Sequence, residues 1–429
     1  VPSSLSESLP RALAPDLELT QAHSLADLQA VLDGHLDGFG EDDREPLSAK
    51  FFRRPGAIPE HVLYVRDTTT GQSVSSVSLV PQTWTYEGIP FRVGEVGVVS
   101  TRKAYRKRGL VRYLFEAYHT LAAEENCLIS VIAGIPYFYR QFGYDYILPL
   151  DGRAELRAEQ VPDLKEGEIS PYRIRLANEG DMPILLRFYD ASNKGVCVSS
   201  QMTAEIWRYQ DASPDANPDR RATYIVEREG APVGFFRMNA NELTDWARGA
   251  RIKVPYLPDR EMCLAALRFA KRIAIEERQQ HTITVEISVN TPILQTVYDL
   301  GAEPRRSYAW QIKVLDPAGF LRAIGPALER RLVGSPWEGL TQTITIKLYT
   351  QFVALRFEAG RLVEVTNPPD AKNCELNLPP NAAAMLWLGY RSIEELMGWY
   401  PDAGAKDKTA QRLAGVLFPK KESWVRSLF

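Results

Sequence analysis

The densest set of chemistry-bearing side chains in the 429-residue chain lies between Val98 and Val111, ending in Arg106-Lys107-Arg108-Gly109-Leu110-Val111. Arg102, Lys103, Arg106, Lys107 and Arg108 place five cations within seven positions. Gly109 carries no side chain to obstruct a ligand, and a helix opening beside it leaves its first amides without intrahelical acceptors. Free amides, the positive end of a helix dipole and clustered cations together suit a pyrophosphate. The competing reading is a solvated basic turn ahead of a surface helix. An apolar strand before the turn and a second one after the helix favour the phosphate reading. A P-loop is excluded because no Gly-Lys-Ser/Thr signature occurs, and the Rossmann glycine fingerprint is missing too.

The elements that position this turn follow from hydrophobic period. Ser24 to Leu36 has a helical apolar repeat. Two strands, His61 to Val65 and Ser73 to Val80, flank the polar turn Thr68-Thr69-Thr70-Gly71. A strand from Phe91 to Val99, the basic turn, a helix from Leu110 to Glu125 and a buried strand from Leu128 to Ala133 make a β-turn-α-β unit. Residues 1–14 read as a loose arm, with the first domain at 15–165. The stretch Asp151 to Pro171, rich in charge, Pro and Gly, marks its end.

A second domain, 166–312, repeats the order: a hairpin of Thr223 to Glu227 and Val233 to Met238, a helix from Met262 to Glu277 and a strand from Thr282 to Val289. Ile135-Pro136 followed by Phe142-Gly143 is echoed by Thr291-Pro292 followed by Leu300-Gly301. The second helix start, Pro258-Asp259-Arg260-Glu261, has neither glycine nor a basic cluster, so this copy is expected to be catalytically dead. A third α+β unit, 313–429, follows, with helical Pro317 to Leu332, strands at Gln342 to Tyr349 and Phe352 to Glu358, and helices at Asn381 to Leu388 and Ser392 to Trp399. It closes in the aromatic tail Trp424-Val425-Arg426-Ser427-Leu428-Phe429.

Composition bounds the rest. Hydrophobic residues at 45% and charged residues at 24% fit a globular chain, and a net charge of −3 removes bulk electrostatic binding of nucleic acid. No apolar run approaches the roughly 18 residues of a membrane span, and Val1-Pro2-Ser3-Ser4 lacks signal-peptide features, so a cytoplasmic location is expected. Cys127, Cys197, Cys263 and Cys374 are far apart, which fits reduced thiols, and no Cys or His pair has metal-ligand spacing.

Arg106-x-x-Gly109-x-Val111 after the Val98-Val99 strand resembles the coenzyme A motif of the GNAT acetyltransferases, whose last position is usually Gly or Ala. With Gly97-Val98-Val99-Ser100 and Tyr139-Arg140-Gln141-Phe142-Gly143-Tyr144, the chain resembles the Eis-type (enhanced intracellular survival) group, which also carries a bulky aliphatic residue where Val111 stands. That resemblance implies two tandem GNAT folds with mixed sheets, the second degenerate, then a sterol-carrier-like domain, in a homo-oligomer (a hexamer). It implies acetyl-CoA held by Val98 and Val99 on the acyl side and by Arg106, Lys107, Arg108, Gly109, Leu110 and Val111 on the pyrophosphate.

The resemblance makes Tyr139 the general acid and the terminal carboxylate of Phe429 the base. Glu95, 14 residues before Gly109, is the rival base, at the spacing of the glutamate in histone-acetylating GNAT enzymes. The acceptor is then a primary amine of aminoglycoside, polyamine or lysine type. The acidic run Glu41-Asp42-Asp43-Arg44-Glu45 could draw such a cation or be a solvated surface. Two other readings need less: a carrier of an apolar ligand, and a regulator that binds coenzyme A without chemistry.

Overall fold

A computed structural model of the protein describes residues 5–150, 152–212, 220–240 and 249–429. It is a mixed α/β molecule with three sheets. The first is formed by β1 (Arg11–Ala14), β2 (Leu17–Gln21), β3 (Val62–Asp67), β4 (Ser73–Tyr86), β5 (Ile89–Thr101), β6 (Ile129–Ile132) and β7 (Asp145–Leu150). Residues 5–14, expected as a loose arm, instead form the helix Leu5–Ser8 and β1. Leu5 is buried in the apolar cluster that also holds Leu114 and Leu121, and its amide donates to Glu124 Oε1 at 2.6 Å. Those contacts are tertiary, so local polarity did not reveal them.

Next in the chain come β8 (Arg153–Arg157), β9 (Tyr172–Leu176), β10 (Val198–Ser200), β11 (Arg221–Arg228), β12 (Ala231–Asn239), β13 (Ala250–Tyr256), β14 (Thr282–Glu286), β15 (Glu303–Arg305) and β16 (Tyr308–Val314). The first sheet runs β1-β2-β3-β4-β5-β6-β16-β7 and the second β15-β8-β14-β13-β12-β11-β9. The same strand order thus appears twice, with the last strand of each half exchanged. β8 enters the second sheet between β14 and β15, and β16 enters the first between β6 and β7. The exchange carries Arg153–Arg157 across the boundary expected near residue 165, because the sheet each strand completes lies in the other half.

The third sheet orders β19 (Arg361–Thr366), β18 (Gln351–Glu358), β17 (Gln342–Leu348), β20 (Leu376–Asn377) and β21 (Gly404–Ala405). The expected single helix from Pro317 to Leu332 is two, Pro317–Ala323 and Gly325–Leu332, broken at Ile324. Alternation along β4 and β5 gives the first sheet two apolar faces. Leu79 and Val96 pack under the helix Leu110–Glu124, while Trp84, Phe91 and Val93 share a core with Phe320, Leu386 and Trp387 of the third unit.

The C-terminal tail is threaded between these layers. Trp424 N–H donates to the Val198 carbonyl at 2.8 Å, and β10 in turn pairs with β4. The buried Arg426 guanidinium donates to Asn193 Oδ1 at 2.8 Å and to Ser192 Oγ at 2.9 Å, and Gln210 Nε2 donates to the Leu428 carbonyl at 2.8 Å. Trp310 on the exchanged β16 is fully buried, stacks edge-on against Trp84 at 5.7 Å and donates its indole N–H to the Val425 carbonyl at 3.2 Å. One side chain therefore joins the first sheet, the exchanged strand and the tail. Trp310→Ala is expected to cost about 3–5 kcal/mol and to lower the denaturation midpoint; an unchanged midpoint would show that the exchange contributes no stability.

Candidate active site

The site begins where β5 leaves β6. The two strands pair in parallel only from Val93 to Glu95 against Ile129 to Val131, while β5 runs on to Thr101 along β4 alone. A register shift between Ser76 and Ser78 of β4 absorbs an extra residue of β5, and Val98 takes φ +46°, a conformation costly for a β-branched residue. The β6-facing edge of β5 beyond Glu95 is thereby left without a strand partner among the described residues. Small residues permit the approach of elements here: a Cβ on Gly94 would lie 2.8 Å from Leu79 and 3.1 Å from the Tyr118 hydroxyl.

The chain then turns through Lys103–Tyr105 and enters the helix Leu110–Glu124 at Gly109, which is left-handed with φ +76° and open space where a Cβ would stand. Lys107 is also left-handed, at φ +64°. Among the described residues, the amides of Lys107, Arg108, Gly109, Leu110 and Val111 donate to no protein acceptor. A cavity of about 470 Å³ opens in front of them, lined by Val99, Ser100, Arg106 to Arg112, Phe138, Tyr139 and Phe142. Val98 supplies the distortion at its edge without lining it. Lys107 is exposed, and Arg108 is held loosely by Asp16 at 3.6 Å, so both cations stay near the amides.

Tyr139 sits in the short helix Phe138–Phe142, nearly buried, with its ring 5.7 Å from that of Phe115 and 5.0 Å from that of Phe138. Burial pushes its phenol up to about 12, so it is protonated across the neutral range. Gly134 makes room for it: a Cβ there would come within 2.1 Å of the Tyr139 ring.

Phe429 lines a second cavity, of about 290 Å³, and Glu95 lies outside its lining, reached through Gln82. Arg54, Gln82 and His61 line the cavity too, and Gln82 Nε2 donates to the Glu95 carboxylate. Burial raises Glu95 to about 7 against the opposing pull of Lys50, the Gln82 hydrogen bond and Arg54. The Phe429 ring lies 5.4 Å from Arg54 Cζ, and its terminal carboxylate accepts only from Ser427 Oγ, at 3.3 Å, with no ion pair among the described residues. The structure thus brings Tyr139 to the basic turn and Phe429 to Arg54 and Gln82, with Glu95 bonded to that same Gln82. The acidic run Glu41 to Glu45 lines neither cavity, its carboxylates Glu41 and Glu45 pairing with Arg44 and Arg53. Gly134, Arg54 and Gln82 escaped the sequence reading, because nothing local marks a glycine under an aromatic ring or a cation in a remote loop.

A sheet whose neighbouring parallel strands part at a bulge, beside a helix start with free amides, is an arrangement suited to an extended ligand that carries phosphates. Residues 21–147 match the family model described as an acetyltransferase (GNAT) domain. The chain thus carries a match to a GNAT acetyltransferase domain, and domains of that class use acetyl-CoA. Its fold matches a GCN5-related N-acetyltransferase from Anabaena variabilis (TM-score 0.72, 16% identity, 95% of this chain and 99% of that one). It also matches a probable N-acyltransferase from Enterococcus faecalis (0.73, 15%, 96% and 99%). Eis1 from Mycobacterium abscessus is similar at TM-score 0.61 and 14% identity, over 95% and 98% of the two chains. A comparison with curated protein sequences finds no match. No helix among the described residues is long and apolar enough to cross a membrane.

The donor set fits acetyl-CoA: five free amides with neighbouring cations suit its phosphates, and the unpaired edge of β5 can bond an extended amide-bearing arm. A carboxylate beside those amides opposes phosphate binding, so Gly109→Asp should raise the acetyl-CoA Kd at least about tenfold in calorimetry, about 1.4 kcal/mol. Gly134→Ala should displace the Tyr139 ring and lower kcat while leaving that Kd within about twofold; equal losses in both would mean that the glycine serves the fold alone.

Proposed function

We propose that the protein transfers the acetyl group directly to a primary amine, with Tyr139 as general acid and Glu95 as the base, in place of the Phe429 carboxylate that the Eis-type resemblance implies. The observation that carries this reading is the placement of the two groups on either side of the parting strands: Tyr139 in the cavity of the free amides, Glu95 on β5 at the last pair before the parting. Acetyl-CoA supplies an activated acyl group. Glu95, raised to about 7, takes the proton of the attacking amine; Tyr139, raised to about 12, keeps a proton to give to the leaving sulfur. Phe429 closes the acceptor cavity through its ring and the guanidinium above it.

The second half fits a degenerate GNAT copy. Its helix Arg260–Arg272 is capped by its own Asp259, whose carboxylate accepts the Met262 amide at 2.8 Å where the first half leaves amides open. The third unit is proposed as the sterol-carrier-like domain, the whole as a cytoplasmic homo-oligomer.

The sign of the pH dependence follows from the roles. Glu95 must be deprotonated, so kcat/KM should climb about tenfold per pH unit below about pH 7 and level off above it, in assays of thiol release over a panel of amines. Glu95→Gln should abolish that limb, and Tyr139→Phe should lower kcat by about 10²–10⁴. If removal of Phe429 erased the limb while Glu95→Gln kept it, the terminal carboxylate would be the base. Acetyl-CoA binding without turnover on any amine would favour a regulator.

A further inference from the structure

The second cavity contains a buried cation with no ion-pair partner among the described residues. Arg54 is 6% exposed, at the end of the turn Ala49–Arg53, where its amide donates to the Ala49 carbonyl at 2.9 Å. Its guanidinium makes one hydrogen bond, Nη1 to the Pro55 carbonyl at 3.2 Å. Nε is buried with no partner, and Arg54 forms no ion pair among the described residues. The other cationic side chains lining the cavity are accounted for: Arg92 pairs with Glu125 at 3.4 Å, and burial keeps His61 neutral. The acidic lining residue, Glu205, is exposed.

A guanidinium nine-tenths out of water and left unpaired is costly, and its planar fork matches an oxyanion. A carboxylate entering the cavity would supply the missing partner. The geometry points to an acceptor that is a small amino-carboxylic acid, its carboxylate on Arg54 and its amine toward Gln82 of the cavity wall and the Glu95 carboxylate bonded to it. This rests on the amine-acetylation reading above and narrows its acceptor. Arg54 and Glu95 attract each other electrostatically and Glu95 is bonded to Gln82 of the cavity wall, so charges of opposite sign act on the cavity, the complement of a zwitterion. A polyamine would meet Arg54 with like charge. The volume, about 290 Å³, is at the small end of ligand pockets, which favours a compact acceptor over a multi-ring aminosugar.

The test compares amine pairs that differ only in the carboxylate, phenylalanine with phenethylamine and lysine with cadaverine, using the full chain saturated with acetyl-CoA. The carboxylate member should have a kcat/KM at least tenfold higher. Arg54→Met should collapse that ratio toward one through a raised KM, and Arg54→Lys should restore part of it. Calorimetry with N-acetylphenylalanine and N-acetylphenethylamine reads the same preference as binding, independent of turnover. Equal rates and equal binding within each pair, or a preference unchanged in Arg54→Met, would overturn the inference while leaving acetyl transfer to amines intact. Arg54-dependent binding with no acetylation of any amine would instead overturn the catalytic reading and retain the anion site.

Discussion

Everything in the first half is organised by the parting of β5 from β6. Parallel strands pair continuously unless something prevents it, and here a three-residue ladder ends at Glu95. The extra residue in β5, with Val98 forced to φ +46°, turns the strand away while β4 keeps its hold on the other edge. Such a conformation costs about 1–3 kcal/mol and persists only where the surroundings over-determine it. The surroundings are two packed faces: Tyr118, whose hydroxyl donates to the Gly94 carbonyl at 3.0 Å, and the third unit's core beneath Phe91 and Val93. Among the described residues the result is an unpaired edge inside a protein, normally a liability, held open toward a helix start that also lacks acceptors.

The exchange of β8 and β16 supplies the rigidity that this opening needs. β16 fills the place next to β6 on the side away from the gap, pairing Gln311 with Ile132 and Val314 with Ile129. β6 is thus fixed by a strand from the far half of the chain and does not have to lean on β5. The same exchange brings Trp310 to the tail, and the tail brings Phe429 to the cavity of Arg54 and Gln82. A strand, an indole and a terminus distant in sequence therefore define one wall.

What was legible in the sequence was local. The basic turn, Gly109 and the following helix are consecutive, and free amides at a helix start are a property of the backbone alone, so residue types and spacing sufficed. The duplication was legible because each half repeats its periodicities in order. The exchange of strands was not, since β8 and β16 have ordinary strand patterns and nothing in them states which sheet they complete. Arg54 lies in a stretch with Lys50 and Arg53 that reads as surface charge; only the fold buries it. Leu5 shows the same effect in a segment whose polarity suggested no structure.

The two halves also separate strain from function. β13 repeats the distortion of β5, with Val254 at φ +48° after its parallel pairing with β14 ends at Lys253. The bulge is thus common to both halves and cannot by itself mark a ligand site. The difference lies one turn later. Asp259 accepts the Met262 amide and takes the Tyr172 hydroxyl at 3.2 Å, so its carboxylate occupies the position an anionic ligand would need. In the first half the equivalent place belongs to Gly109, which has no side chain to cap anything. A capped helix is the more stable one, by about 1 kcal/mol in typical cases. The first half forgoes that gain, and an uncapped helix start facing a cavity is what leaves its amides open to an anionic ligand.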